Sequence, residues 1–341
     1  MKKILLSGLS VLVCLLLVLP AGICLPFISA KSYSSSEFHL YLGNVITVDD
    51  DGDGDFTSIK EAVSHASAGD VIEVYSGIYN EYNISITTPD VTLKGIPYEL
   101  GNGTSTGKPF IDGKGLDVVL IILADNVTFS GFHIENQGNR LVNAILLSNN
   151  SKNCVVSDND IRNNSYGMMI DCASCNNCSI LDNTLSNCPD YQGIIVGSLS
   201  NYITISGNVI TGVSIGIDIS DSPHNIVTRN KISKCWHGID IWGENNTILL
   251  NNLENNSVGL GSYSYNTVIK HNNFINNKKQ ATFIIPPSIW HGPGYIKWIG
   301  NYWNRTRILP QFIFGWSCAL PWFNIDWRPA LKPYDIEYLK V

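Results

Sequence analysis

The sequence predicts an all-β chain. It reads as a right-handed parallel β-helix, a solenoid with an N-terminal capping helix and an aromatic C-terminal cap. Three observations lead there. First, an Asn, one variable residue and a large apolar residue recur at Asn159, Asn183, Asn208, Asn230, Asn251 and Asn272, spaced by 24, 25, 22, 21 and 21 residues. A repeat of that period marks a solenoid. Second, an apolar residue stands three positions before each Asn: Val156, Ile180, Ile205, Val227, Ile248 and Ile269. Third, each unit carries short runs of period two, rich in Val, Ile and Thr and bounded by Asn, Gly, Asp and Ser. Such runs are strands with one buried face. Three short strands and three turns fill about 22 residues, one coil of a parallel β-helix. A leucine-rich repeat has a similar period but needs a Leu-rich consensus and a helical turn per unit, and neither is present.

Coils stacked about 4.8 Å apart place each Asn over the last. The amides then form a ladder, each donating to one neighbour and accepting from the other. Such a ladder matters because an unpaired buried amide costs roughly 1–3 kcal/mol.

The elements follow in chain order. Residues 1–30 read as a signal peptide: Lys2 and Lys3, an apolar run from Ile4 to Leu19, then Pro20 and small residues up to Ala30. Left uncleaved, the run approaches the length of a membrane anchor. The expected location is therefore secreted or at the cell surface, with no membrane span in the mature chain unless the signal is retained. Residues 31–44 read as a polar linker, and 45–282 as the β-helix. Within it, residues 45–48 form a first strand, and Asp49 to Asp55 an acidic turn. That turn has the Asp-x-Asp-x-Asp-Gly look of a calcium loop at Asp49, Asp51, Asp53 and Gly54, but Lys60 stands where an EF-hand needs Glu. Ser58 and Glu61 make a capping box for a helix over about 57–68, its apolar face Ile59, Ala62, Val63 and Ala66. A first coil exposes unpaired backbone, so this helix is placed to cover it. Residues 283–341 are the C-terminal capping segment, holding six of eight Trp and seven of fourteen Pro; prolines cannot extend the stack, but the rings can cover it.

Composition narrows the function. Only 15% of residues are charged, 44% are hydrophobic and the net charge is −7. The chain is ordered, and nucleic acid is not an expected partner, since that needs a basic face. A monomer is expected.

The run from Val48 to Glu81, VDDDGDGDFTSIKEAVSHASAGDVIEVYSGIYNE, resembles the opening of pectin-lyase-like β-helix proteins. The coils resemble the NosD-like branch of that superfamily, exported proteins linked by analogy to a copper-related accessory factor of nitrous oxide reductase maturation. Gly300-Asn-Tyr-Trp303 resembles that branch's post-repeat motif, and Phe323 to Ala330 with Pro333-Tyr-Asp335 is similar to archaeal surface members. The resemblance implies the fold over about residues 45–335. It does not carry pectin chemistry over, because the catalytic motifs of polygalacturonase-like and methylesterase-like members are absent.

Candidate chemistry comes from the alternation after each repeat Gly. The first outward column reads Met169, Ile195, Asp218, Asp240 and Gly261; the second reads Asp171, Gly197, Ser220, Trp242 and Tyr263. Asp218 and Asp240 thus lie on adjacent coils, with Trp242, Tyr263, Asp171 and His237 as neighbours. Two close carboxylates raise one another's pKa and suit acid–base catalysis; aromatic faces beside carboxylates suit a glycan. Three readings stand: an ordinary solvated exterior, a non-catalytic glycan-binding face, and a polysaccharide lyase or hydrolase acting through Asp218 and Asp240. Cys172, Cys175 and Cys178 have metal-like spacing, with Met168 and Met169 as soft neighbours for copper. The same cysteines also read as buried small hydrophobes or as one disulfide. No cofactor is required by the sequence; copper at the cysteines and calcium at the acidic turn are the two metals it suggests.

Overall fold

The computed structural model describes residues 43–138, 141–148, 150–164, 166–197, 199–285, 296–317 and 320–336. The signal peptide, most of the linker, Trp290 and Cys318 lie outside the described residues. Among those described, no helix is long and apolar enough to cross a membrane.

The chain is a parallel β-solenoid. One side is an eleven-stranded sheet to which each coil gives one short strand, from Val45–Val48 to Lys297–Ile299. The centre of each strand enters one column. Ile72, Leu93, Phe129, Val156, Ile180, Ile205, Val227, Ile248, Ile269 and Trp298 pair in register, and all are buried. A second column runs Ile111, Ile134, Ile161, Leu185, Ile210, Ile232, Leu253, Phe274 and Trp303. From Ile161 onward these are the third residues of the Asn-x-apolar repeat. Their flanking residues face out because a strand alternates sides at every step.

Between the two columns stand the asparagines. Nδ2 of Asn159 donates to Oδ1 of Asn183 at 3.0 Å, and the same bond repeats through Asn208, Asn230 and Asn251 to Asn272. Each Oδ1 from Asn183 onward also accepts the backbone N–H of the preceding rung, and the five rungs from Asn183 to Asn272 add an Nδ2 bond at 2.9–3.0 Å to a carbonyl of the coil before. The ladder runs one rung past the repeat, to Asn301, and ends on Asp326. That carboxylate, fully buried, accepts from Gly300, Asn301 and the Trp303 indole.

Asn-x-Ser/Thr triplets recur along the sequence, and many of them fall at the outer turns. Asn83, Asn126, Asn163, Asn177, Asn245, Asn255 and Asn304 all take positive φ, between 53° and 61°. Asn tolerates the left-handed region best of the residues with a Cβ, and the Ser or Thr two places on begins the next strand in several coils.

The helix is Ile59–His65, shorter than the 57–68 expected. The Ser58 hydroxyl accepts from the Glu61 N–H, and Glu81 accepts from the Ile59 and Lys60 N–H groups at 2.9 and 2.8 Å. Ile59, Ala62 and Val63 are buried in the solenoid core. At the other end, Gln311–Ser317 and Leu320–Asp326 pair antiparallel, and Trp303 stacks on Phe274 at 4.5 Å.

Candidate functional site

The site grows from one face of the coils. In Ile217-Asp218-Ile219 and Ile239-Asp240-Ile241 both isoleucines are fully buried, which forces the central Asp of each triplet outward. Register then sets the neighbours: Asp171, Ile195, Asp218, Asp240, Gly261 and Thr282 form one column. Asp218 and Asp240 are adjacent, about 4.8 Å apart along the stack. Asp171 lies two coils away, behind Ile195.

This corrects the column expected from sequence. Met169 points into the core and is fully buried, and Asp171 takes its place in the first column rather than the second. In the later coils the repeat Gly immediately precedes the paired strand. After Gly167 two extra residues intervene, so counting from the glycine slips by two.

The face is also less solvated than an ordinary exterior. Asp218 is 6% exposed and Asp240 5%. His237 Nδ1 lies 2.7 Å from both oxygens of Asp240. Ser220 Oγ donates to Asp218 Oδ1 at 3.1 Å, and Asn143 Nδ2 to Asp171 Oδ2 at 3.0 Å. Gly261 makes room for the covering groups: a Cβ there would meet Asp240 Oδ1 at 2.5 Å and the Tyr263 hydroxyl at 3.2 Å. Trp242, half exposed, stacks on Tyr263 with ring centroids 4.1 Å apart and planes 14° apart.

Burial sets the electrostatics. It pushes the Asp171 carboxyl up to about 6, with the Asn143 bond opposing. Burial also raises Asp218, opposed by Ser220 and helped by the charge of Asp240. Tyr263 rises for the same reason, with Asp240 adding repulsion. The arrangement therefore offers a proton-holding carboxyl, a His–Asp pair and an aromatic platform within a few coils.

Sequence reasoning names His237 as a neighbour of the pair and Ser220 as an outward residue, but not their bonds to Asp240 and Asp218; the i, i+3 spacing of His237 and Asp240 is the available signal. Gln192, which also bonds Asp218, carries none. A groove of about 520 Å³ lies beside the acidic column rather than over it, lined by Pro189, Lys234, Trp236, Asn255 and Lys278 among others. Its lining residue Trp236 lies parallel to the His237 ring, centroids 6.5 Å apart.

Of the readings left open for the cysteines, the structure contains the disulfide. Cys172 and Cys175 form a disulfide, and disulfide sulfurs are not thiolates, so the three-thiol metal set does not exist in this state. Cys178 instead faces Cys154 on the neighbouring coil, its Sγ accepting the Cys154 N–H at 3.4 Å. Cys188 and Cys235 are free and buried.

A family model described as periplasmic copper-binding protein (NosD) matches residues 101–307. No curated protein matches the sequence. Among solved structures, the chain is similar to XylC in complex with xylose (TM-score 0.53, 12% identity, 83% of this chain and 73% of that one). It is also similar to alginate lyase AlyF-OU02 with G6 (TM-score 0.52, 12% identity, 75% and 62%). A third is a PL6 alginate lyase with a trisaccharide (TM-score 0.51, 12% identity, 76% and 64%). The chain thus spans less than two thirds of either lyase. At these identities the likeness is one of fold.

Proposed function

The chain belongs to the NosD family, and from that premise we propose that it is an exported β-solenoid presenting a saccharide-binding face outside the cytoplasm. The observation that carries this reading is the half-exposed Trp242 stacked on Tyr263 beside the nearly buried pair Asp218 and Asp240. A flat aromatic surface takes the apolar face of a sugar ring, and shielded carboxylates accept its hydroxyls more strongly than solvated ones do. The coarse likeness to proteins seen with xylose, G6 and a trisaccharide supports the substrate class. The test is a saccharide array, followed by calorimetry on the best binder. Trp242→Ala and the double variant Asp218→Asn with Asp240→Asn are each expected to lose binding. Undiminished affinity in both would remove the face from consideration.

A second reading, cleavage of the bound polysaccharide, rests on the His237–Asp240 contact at 2.7 Å next to the raised Asp218. Carboxyls and imidazoles held so are suited to proton transfer. Product assays separate it from binding alone: new reducing ends for hydrolysis, or ultraviolet absorbance of an unsaturated uronate for elimination. Both are expected to vanish in His237→Asn.

Copper fits the described residues poorly. Copper(I) wants soft sulfur or imidazole donors. Two of the six described cysteines are in the disulfide, and the one cluster of three His, Cys, Asp or Glu ligand atoms among the described residues is all oxygen: Asp49, Asp50 and Glu99.

A further inference from the structure

That all-oxygen cluster lies away from the saccharide face, at the N-terminal end. Asp49 to Asp55 form the turn after the first strand, and residues 99–105 form a loop that runs against it. The two are tied together. Asp53 Oδ2 accepts from the Asn102 N–H at 3.2 Å across the two, and within the loop Glu99 Oε2 accepts from the Ser105 N–H at 2.8 Å. Asp50 Oδ2 accepts from the Ile78 N–H at 3.0 Å, and Asp49 Oδ2 from the Asp53 N–H at 3.2 Å. Those bonds use one oxygen of each Asp. The other oxygens, Asp49 Oδ1 and Asp50 Oδ1, are closed to solvent and accept from no N–H group of the described residues. Asp49 as a whole is 0% exposed. The ion pairs found among the described residues use other carboxylates.

We propose that Asp49, Asp50 and Glu99 bind a hard divalent cation, Ca²⁺, which pins the acidic turn to the 99–105 loop. A buried carboxylate oxygen without a donor is costly unless a cation or proton answers it. Ligand oxygens of the three residues lie within 4.8 Å of one another. Oxygens on opposite sides of Ca²⁺ are about 4.6–5.2 Å apart, twice its usual bond length, so the set spans such an ion. Hard carboxylate donors suit calcium and not copper(I).

The site is not the loop that the sequence pattern suggests. Asp51 and Asp53 of that pattern are exposed, and Lys60 at its twelfth position plays no part. The third ligand comes from Glu99, two coils further on. The competing occupant is a proton. A cation would displace that proton, so binding strengthens as pH rises.

The experiment is thermal unfolding of the full chain in EDTA, in CaCl₂ and in MgCl₂, with calorimetric titration of Ca²⁺. The expected result is a saturable rise in midpoint with Ca²⁺, smaller with Mg²⁺, and a Kd on the order of 10⁻⁴–10⁻³ M, as in extracellular calcium modules. The rise is expected to shrink at acidic pH. Asp49→Asn with Glu99→Gln should remove the calcium response while leaving the strand signal in circular dichroism. Should that variant not fold, titration of the wild-type chain decides alone. No heat and no change in midpoint would overturn the site. So would a midpoint that follows pH but not calcium, or a calcium response kept in full by the folded variant.

Discussion

Replacing Asp171 by Asn tests whether the outward column is as desolvated as it looks. The Asp171 carboxyl is lifted from its ordinary 3.8 to about 6, first by burial. Two pKa units correspond to about 3 kcal/mol, and because the side chain is only partly buried a range of about 1–3 kcal/mol is the working figure. A raised carboxyl binds its proton more tightly folded than unfolded. Its contribution to stability is therefore complete below 3.8 and is lost as pH rises through about 6. Asparagine has no proton to lose, and its Oδ1 can still accept from Asn143 Nδ2. Urea unfolding of both proteins at about pH 4 and about pH 8 reads the difference. Near-equal stability is expected at the lower pH, with the variant ahead by about 1–3 kcal/mol at the higher. A constant offset at both values, or a variant weaker at the higher one, would refute the reasoning.

Three further outcomes are expected. Asn230→Ala takes the acceptor from the buried Asn208 N–H and one of three acceptors from Asn208 Nδ2, which keeps the Ile180 and Ser206 carbonyls, and should cost about 1–3 kcal/mol in urea unfolding for the one orphaned donor. Trp303→Ala empties a buried ring stacked on Phe274 and removes one donor to Asp326. A loss of about 3–5 kcal/mol is expected, with hydrogen exchange fastest in the last coils if the aromatic segment caps them. Stoichiometric copper(I) added to the protein with its disulfide intact should give no thiolate-to-copper absorbance; a strong band would point to the free Cys154 and Cys178 and overturn the poor fit to copper.

The fold was legible because a solenoid repeats its local rules. The same Asn, the same preceding apolar residue and the same alternation recur often enough to cancel local noise, as the columns through Val156 and Ile161 illustrate. Even the last rung was in plain view: Asn301-Tyr302-Trp303 has the repeat's own signature, hidden by a spacing of 29 from Asn272. The site was legible only where the period held. Asp218, Asp240, Trp242 and Tyr263 were placed correctly relative to one another, since their coils are 21 or 22 residues long. Asp171 slipped because its coil carries extra residues, and length changes leave no mark on alternation. Pairings that depend on side-chain reach, His237 to Asp240 or Cys172 to Cys175, are not written in periodicity at all.

A parallel stack sets like beside like, and the two ladders of this chain respond oppositely to that. Amides gain from it, since each carries both donor and acceptor, and here seven pass the bond along without a gap. Carboxylates only accept, so an Asp column should be unstable wherever the face is dry. This column is dry at Asp218 and Asp240, yet both acids remain. The structure blunts the conflict instead of removing it: Ile195 separates Asp171 from the pair, Gly261 leaves space for the Asp240 carboxylate to lean, and His237 lies against it. Threonine, which occupies the same column at Thr282, would fit the strand without any of these measures. Stability alone does not account for acids held in that position; the proposed saccharide face would, through a ligand whose hydroxyls meet carboxylates and whose ring meets the Trp242–Tyr263 platform.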